Sequence, residues 1–253
     1  WNRFDHRYGL PEFWYREMHF DYDGRLWLTS DRGADCYNGS EWFRLDMSDG
    51  LREYPKLYQI AVDQDSVLWF SYFAFGDEPH VLRIYSYEDH FVEHVIDSFS
   101  AIEDINHLRV SPDNNIWICT SRGFYVYDRS TFRHYLPSDD DHSCEIWDVA
   151  FDSSGLAWLL KFKAYEGADV LVYNGVNFTS IDSMYGLPVP YVGTPMEIVI
   201  DEDDTKWITT QGHGIISIEG SISGLDETPK AKSLALNAYP NPFNSSCRIE
   251  TAK

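Results

Sequence analysis

No apolar run in this chain reaches the 18 or so residues that a membrane-spanning helix requires, so insertion into a bilayer as a helix is excluded. Basic residues are scarce, with 20 Lys and Arg against 41 Asp and Glu and a formal net charge of -21. A chain this acidic is repelled by nucleic acid and by anionic membranes, which removes both as partners and fits an extracellular medium or one rich in cations. Cysteine is sparse too: Cys36, Cys119, Cys144 and Cys247 make no disulfide scaffold and match no zinc spacing. Buried free thiols are expected, with a single Cys119–Cys144 bridge as the alternative. A nucleophile elbow, a Cys/His dyad marker, a phosphate loop and a metal-ligand pair are all missing, so no motif argues for an enzyme, and no cofactor is expected.

What the chain has is aromatics and a repeat. The stretch DYDGRLWLTS around Trp27 returns around Trp69, Trp117, Trp158 and Trp207, at spacings of 41 to 49 residues. A period in the forties with alternating apolar residues and turn signals predicts an all-β, five-bladed β-propeller of four-stranded antiparallel blades. Within each repeat the first strand ends in an Asp-rich turn (DYDG, DQDS, SPDN, DSSG, DEDD), and the second carries the Trp. The third ends at Tyr37, Tyr85, Tyr127, Tyr173 or Ile218, and the fourth centres on Phe43, Phe91, Phe132 or Phe178. The Trp is read as architecture, a large apolar area packing one blade on the next. The fifth repeat shows no fourth strand, whereas the opening WNRFDHRYGLP resembles the fourth strands EWFRLDMSDGL and NFTSIDSMYGLP. The N-terminal strand around Phe4 is therefore expected to close the last blade; the alternative is a fragment of a six- or seven-bladed propeller.

The repeat, Asp-x-x-Gly-x-Leu-Trp followed by a small residue, Gly, Tyr and Phe, resembles the two-component-regulator type of propeller repeat found in bacterial sensor ectodomains and secreted proteins. It covers residues 1–220, and Gly is lost from the turn in repeats two, three and five. After a linker at 221–235, the segment LNAYPNPFNSSCRIETAK at 236–253 resembles the start of the C-terminal sorting domain that some Gram-negative bacteria use for export through the type IX pathway. These resemblances imply a protein secreted from, or displayed on, a Gram-negative cell, with the export machinery as a partner. The lack of a leader before Trp1 is then expected to reflect a mature or trimmed N-terminus.

Two groups of candidate site residues follow. Loops between strands two and three share a face with the loops between blades, and they hold unusual aromatics: Trp14, Tyr15, Tyr72, Phe73, Phe75, Trp147, Tyr165 and Tyr191. Exposed rings give a recognition surface for a glycan or an extracellular polypeptide; the alternative is that some fold down as local cores. The second group comes from the first strands, where residues seven and nine before each Trp are apolar and are expected to pack into the blades. The face between them is then expected to turn to a central tunnel. Ten before the Trp the column reads Glu17, Gln59, His107, Asp148 and Glu197, a polar ring at the tunnel mouth, with His19 and Arg109 below it. The plain alternative is a wet tunnel lined by polar residues. The Asp-rich turns invite a calcium reading, DEDD at 201–204 most of all, but a full calcium loop is absent and Asp suits the turn itself, so no metal is expected.

The leading expectation is a non-enzymatic propeller binding a glycan or polypeptide on the aromatic face. A structural or adhesive spacer is the second reading. The third is a propeller glycosidase or lyase working through tunnel-mouth carboxylates, since glycosidic cleavage needs two facing acids.

Overall fold

The computed structural model describes residues 4–11, 13–53, 56–72, 82–96, 104–137, 144–163, 167–181, 195–210, 214–220 and 236–239. The structure is all-β. The first sheet is β1 (Tyr15–Phe20), β2 (Leu26–Ser30), β3 (Gly33–Tyr37) and β4 (Trp42–Leu45); the second is β5 (Leu57–Val62), β6 (Leu68–Tyr72), β7 (Leu82–Tyr87) and β8 (Phe91–Ile96). The third is β9 (Ile105–Val110), β10 (Ile116–Thr120), β11 (Gly123–Tyr127) and β12 (Phe132–Tyr135), and the fourth β13 (Glu145–Phe151), β14 (Ala157–Lys163), β15 (Gly167–Tyr173) and β16 (Phe178–Ser180). The fifth is β17 (Pro195–Ile200), β18 (Lys206–Thr210), β19 (Gly214–Ile218) and β20 (Leu236–Tyr239). Each is an antiparallel meander, and a parallel pairing of Gly123 with Glu145 joins the third to the fourth. The chain divides into two compact units, residues 1–118 with 127–132 and residues 119–126 with 133–253.

The repeated Asp and Trp are two ends of one device. Six residues before the Trp, Asp21 accepts from the backbone N–H groups of Asp23 and Arg25 through one oxygen and from the Trp27 indole, at 2.8 Å, through the other. Asp63 with Trp69 (2.6 Å), Asp152 with Trp158 (2.9 Å) and Asp201 with Trp207 (2.8 Å) repeat the arrangement. The carboxylate closes the hairpin turn and fixes the ring that packs the sheets, which accounts for both residues at that spacing. In the third repeat Ser111 takes the place of Asp and holds the turn through Asn115 and Asp113.

Three residues before each Trp the backbone is left-handed: Gly24 at φ 77°, Ser66 at 65°, Asn114 at 65°, Gly155 at 83° and Asp204 at 64°. Gly is the default there, so its loss from three repeats needs a reason. Two of the replacements reach the preceding turn: Asn114 Oδ1 accepts from the Gln64 N–H at 2.9 Å and its amide donates to Asp65, while Asp204 accepts from the Ser153 N–H at 2.9 Å and hydroxyl at 2.7 Å. Asn114→Gly and Asp204→Gly are each expected to lose about 1 kcal/mol, because two inter-turn bonds outweigh the relieved strain. Ser66, whose side chain bonds nothing among the described residues, is the control: Ser66→Gly is expected to be neutral in urea unfolding. Equal effects at all three positions would remove the latch.

In the first unit Trp27, Ala34, Cys36 and Leu45 of the first sheet pack on Leu57, Ile60, Val62, Phe70, Tyr85 and Phe91 of the second. In the second unit Trp158, Leu160, Val170 and Val172 pack on Ile198, Ile208, Ile216 and Ile218. Cys36, Cys119 and Cys144 are buried free thiols, and burial pushes that of Cys36 up to about 12. Gly33 and Gly123, at φ 121° and 85°, open the third strands where an added Cβ would fall on the carbonyl oxygens of Leu45 and Tyr135.

Several expectations are corrected. The N-terminal strand does not complete the last sheet: β20 pairs with β19 from Ile215–Tyr239 to Ile218–Leu236, using the first residues of the sorting-like segment. Phe4 instead packs on Tyr37 and Trp42 of the first sheet at 5.3 and 6.2 Å. Register pairs Tyr37 with Trp42 and Tyr87 with Phe91, so Trp42 and Tyr87, rather than Phe43 and Tyr85, fill the repeat positions. The apolar column of the first strands is buried at Ile60, Leu108, Val149 and Ile198, but Met18 and Phe20 are 68% and 64% exposed. They stand on the face of β1 opposite the one that Trp27 shares with the second sheet.

Candidate functional site

Every first strand whose register is described carries a bulge at one place. In the first sheet Tyr15 pairs with Ser30 and Met18 with Leu28, so Arg16 and Glu17 together face Thr29; in the second, Tyr58 and Gln59 face Ser71 in the same way. The fourth and fifth sheets insert Trp147 and Met196. A bulge leaves ladder donors unpaired, and here hydroxyls take them: Thr29 accepts from the Glu17 N–H at 3.1 Å, and Ser71 from that of Gln59 at 2.9 Å. Thr29 also donates to the Tyr58 carbonyl at 2.7 Å, tying the first bulge to the second.

The structure accounts for two members of the polar ring as structural acids. Glu17 Oε2 accepts from the Ile60 N–H at 2.7 Å, one sheet further on. Asp148, fully buried, accepts from its neighbour Val149 at 2.8 Å and from Ile198 of the next sheet at 3.0 Å. Each carboxylate thus supplies the acceptor that a sheet neighbour's first strand lacks. Glu17 Oε1 lies 3.8 Å from His107 Nε2, whose other ring nitrogen accepts from the Leu108 N–H. Gln59 is half-buried beside the second bulge, and Glu197 is exposed on β17. Glu17, Gln59 and His107 belong to the first unit, Asp148 and Glu197 to the second.

Below Glu17, burial and the nearby charge of Arg109 hold the His19 pKa below its ordinary value, Asp21 opposing. His94, beside Trp69, is lowered by burial and by Arg129. Because the folded pKa values lie below the unfolded one, the unfolded chain binds these protons first, so the contribution is complete above about pH 6.5 and falls as the pH drops towards the folded values. His19→Gln plus His94→Gln is expected to flatten the loss of urea midpoint between about pH 7 and 5. A slope equal to the parent's would contradict the assignment.

Of the aromatic candidates, three are packed. The Tyr15 hydroxyl lies 3.0 Å from both Asp35 Oδ2 and the Pro11 carbonyl, and Asp35 is also clamped by Arg44, which covers the Phe13 ring at 4.2 Å. Tyr72 packs edge-on against Tyr85, and Trp147 against Phe162 and the core of the second unit. Phe73, Phe75, Tyr165 and Tyr191 lie outside the described residues. Trp14 alone of the described four is open, at 75% exposure. Beside it the Arg16 guanidinium sits 6.0 Å from the Trp14 ring centre and 4.6 Å from that of Tyr58. Arg16 and Tyr58 were missed in the sequence although both stand eleven before their Trp, in the bulge column that continues with Asn106, Trp147 and Met196.

No protein-family model and no curated protein sequence matches the chain. Solved structures do. Virginiamycin B lyase from Staphylococcus aureus aligns with a TM-score of 0.66 at 15% identity over 90% of this chain and 71% of that one. PorZ, a bacterial surface component of the type-IX secretion system of Porphyromonas gingivalis, aligns at 0.57 and 16% over 83% of this chain and 33% of its own. An ancestral GH74 enzyme gives 0.70 and 9% over 92% of this chain and 34% of its own. Among the described residues no helix is long and apolar enough to cross a membrane. At these identities the likeness is one of fold, and the chain is a β-propeller-like array of four-stranded antiparallel sheets.

Proposed function

We propose that this chain is a secreted or surface-displayed, non-enzymatic propeller that binds a glycan or an extracellular polypeptide on the face where its first strands begin. The observation that carries the reading is the open Trp14 ring beside Arg16 and Tyr58, since a large aromatic left 75% exposed next to a cation is surface kept for contact. The enzymatic reading loses support from the same structure, because a Glu17 oxygen and both Asp148 oxygens are engaged by backbone N–H groups and are poorly placed to trade protons. For export, the sorting-like segment and the fold shared with a type-IX surface component support display on a Gram-negative cell. For architecture we infer that the five repeats are consecutive blades of one ring. The exposed apolar side chains Met18 and Phe20 in the first, and Val199 and Ile215 in the fifth, are what further packing would cover.

Glycan and peptide arrays probed with the whole chain, followed by titration of the hits, test the reading. Saturable binding that falls at least tenfold in Trp14→Ala without a change in melting temperature is expected. Binding of nothing on either array would favour a spacer, and turnover of a bound glycan would favour the enzyme.

A further inference from the structure

Arginines in this chain are nearly always claimed by an acid. Arg7, Arg25, Arg44, Arg129 and the pair Arg52 and Arg83 meet Asp5, Asp21, Asp35, Asp63 and Glu93 respectively. Arg16 does not: among the described residues its neighbours are the two rings, and the acid next to it in sequence, Glu17, is turned to the Ile60 N–H and His107. With 41 acids in the chain, an exposed arginine without one is a cation left available. Its position is fixed by the bulge, tied through Thr29 to the Tyr58 backbone, so the planar guanidinium is held by stacking and not by a counter-ion. Stacking occupies the face of a guanidinium and leaves its N–H edge outward, the edge that binds a carboxylate in bidentate fashion.

We propose that Arg16, Trp14 and Tyr58 form the subsite for an acidic sugar of a glycan. The uronate carboxylate meets the Arg16 edge, and the sugar ring lies on the open face of Trp14. A flat apolar surface directly beside a guanidinium matches a pyranose that carries its carboxylate on the ring; an acidic peptide would use the charge and leave the indole idle. The field of a chain with net charge -21 repels polyanions, but it is screened within about 8 Å at physiological ionic strength, so the group in contact decides. This assignment rests on the binding role proposed above for the Trp14 face.

The test titrates the whole chain with an oligogalacturonate, its methyl ester, a neutral oligogalactoside and a poly-glutamate peptide, against Arg16→Gln, Arg16→Lys and Trp14→Ala. Expected are saturable binding of the oligogalacturonate, or of another oligouronate put in its place, and at least a tenfold loss on esterification. Arg16→Gln should show the same loss with no further loss on the ester, and Arg16→Lys should fall between. Melting temperatures of the exposed variants report folding independently. Poly-glutamate bound as tightly as the uronate, or no oligouronate bound at all, overturns the acidic-sugar assignment. Neutral and acidic sugars bound alike, with Arg16→Gln unaffected and Trp14→Ala dead, overturns it while leaving the binding face standing. Binding indifferent to Trp14→Ala overturns both.

Discussion

Asp63→Ala is expected to lose about 3–5 kcal/mol of folding stability, seen as a large fall in urea midpoint with little change in slope. Asp63 is fully buried and feeds four donors: the backbone N–H groups of Asp65 and Val67, the Trp69 indole at 2.6 Å and Arg129 at 2.6 Å. Arg129 reaches back from the third sheet, bonds the Asn114 carbonyl and stacks over Trp69 at 4.9 Å, and it does so with a left-handed backbone of φ 72°. That conformation costs a non-glycine residue about 1 kcal/mol or more, which the ion pair and the ring contact must offset. Alanine therefore orphans two turn amides, an indole and a guanidinium together. Arg129 keeps part of its surface in solvent, so Arg129→Ala alone should lose less, and the double variant should lose clearly less than the sum. Additive losses would mean that Asp63 serves only its own turn.

The second large effect is at Trp158. Its ring is fully buried between the fourth and fifth sheets, its indole donates to Asp152, and the Lys206 ammonium, itself buried, lies 4.7 Å from the ring centre and donates to the Gly220 carbonyl. Burial draws the Lys206 pKa down against the pull of Asp204, Asp152 and Asp201, so that amine depends on its surroundings to stay charged. Trp158→Ala is expected to lose about 3–5 kcal/mol through the cavity and the orphaned Asp152 and Lys206. Trp207, the same repeat position in the fifth sheet, is only half-buried, and Trp207→Ala should lose less than half as much. Equal losses would contradict the view that cover by a neighbouring sheet sets the worth of each Trp.

The Asp-to-Trp spacing was legible because it repeats: a hairpin turn and a packing ring at fixed separation print the same letters five times. The structure adds why, in the shared carboxylate. Alternation along the first strands failed at the bulge, where one extra residue moves Arg16, Tyr58 and Trp147 out of phase with the columns on either side. Reading by twos therefore passed over the column next to the polar ring. The closing strand was misread because the opening segment resembles a fourth strand in composition, and pairing is decided by which backbone edge lies open, here that of β19. Tyr15, Tyr72 and Trp147 were legible as aromatics at loop ends but not as packed ones, since their partners Asp35, Tyr85 and Phe162 come from strands distant in sequence.

The central claim is that the carboxylate column holds the sheets while the bulge column meets the ligand. Binding isotherms of an oligogalacturonate to Trp14→Ala and Glu17→Gln, at a temperature where both are folded, test it directly. Glu17→Gln, whose amide oxygen still accepts from Ile60, should bind within about threefold of the parent, whereas Trp14→Ala should lose binding at least tenfold. The reverse, with Glu17→Gln silent and Trp14→Ala intact, would contradict the account and place the site in the polar ring.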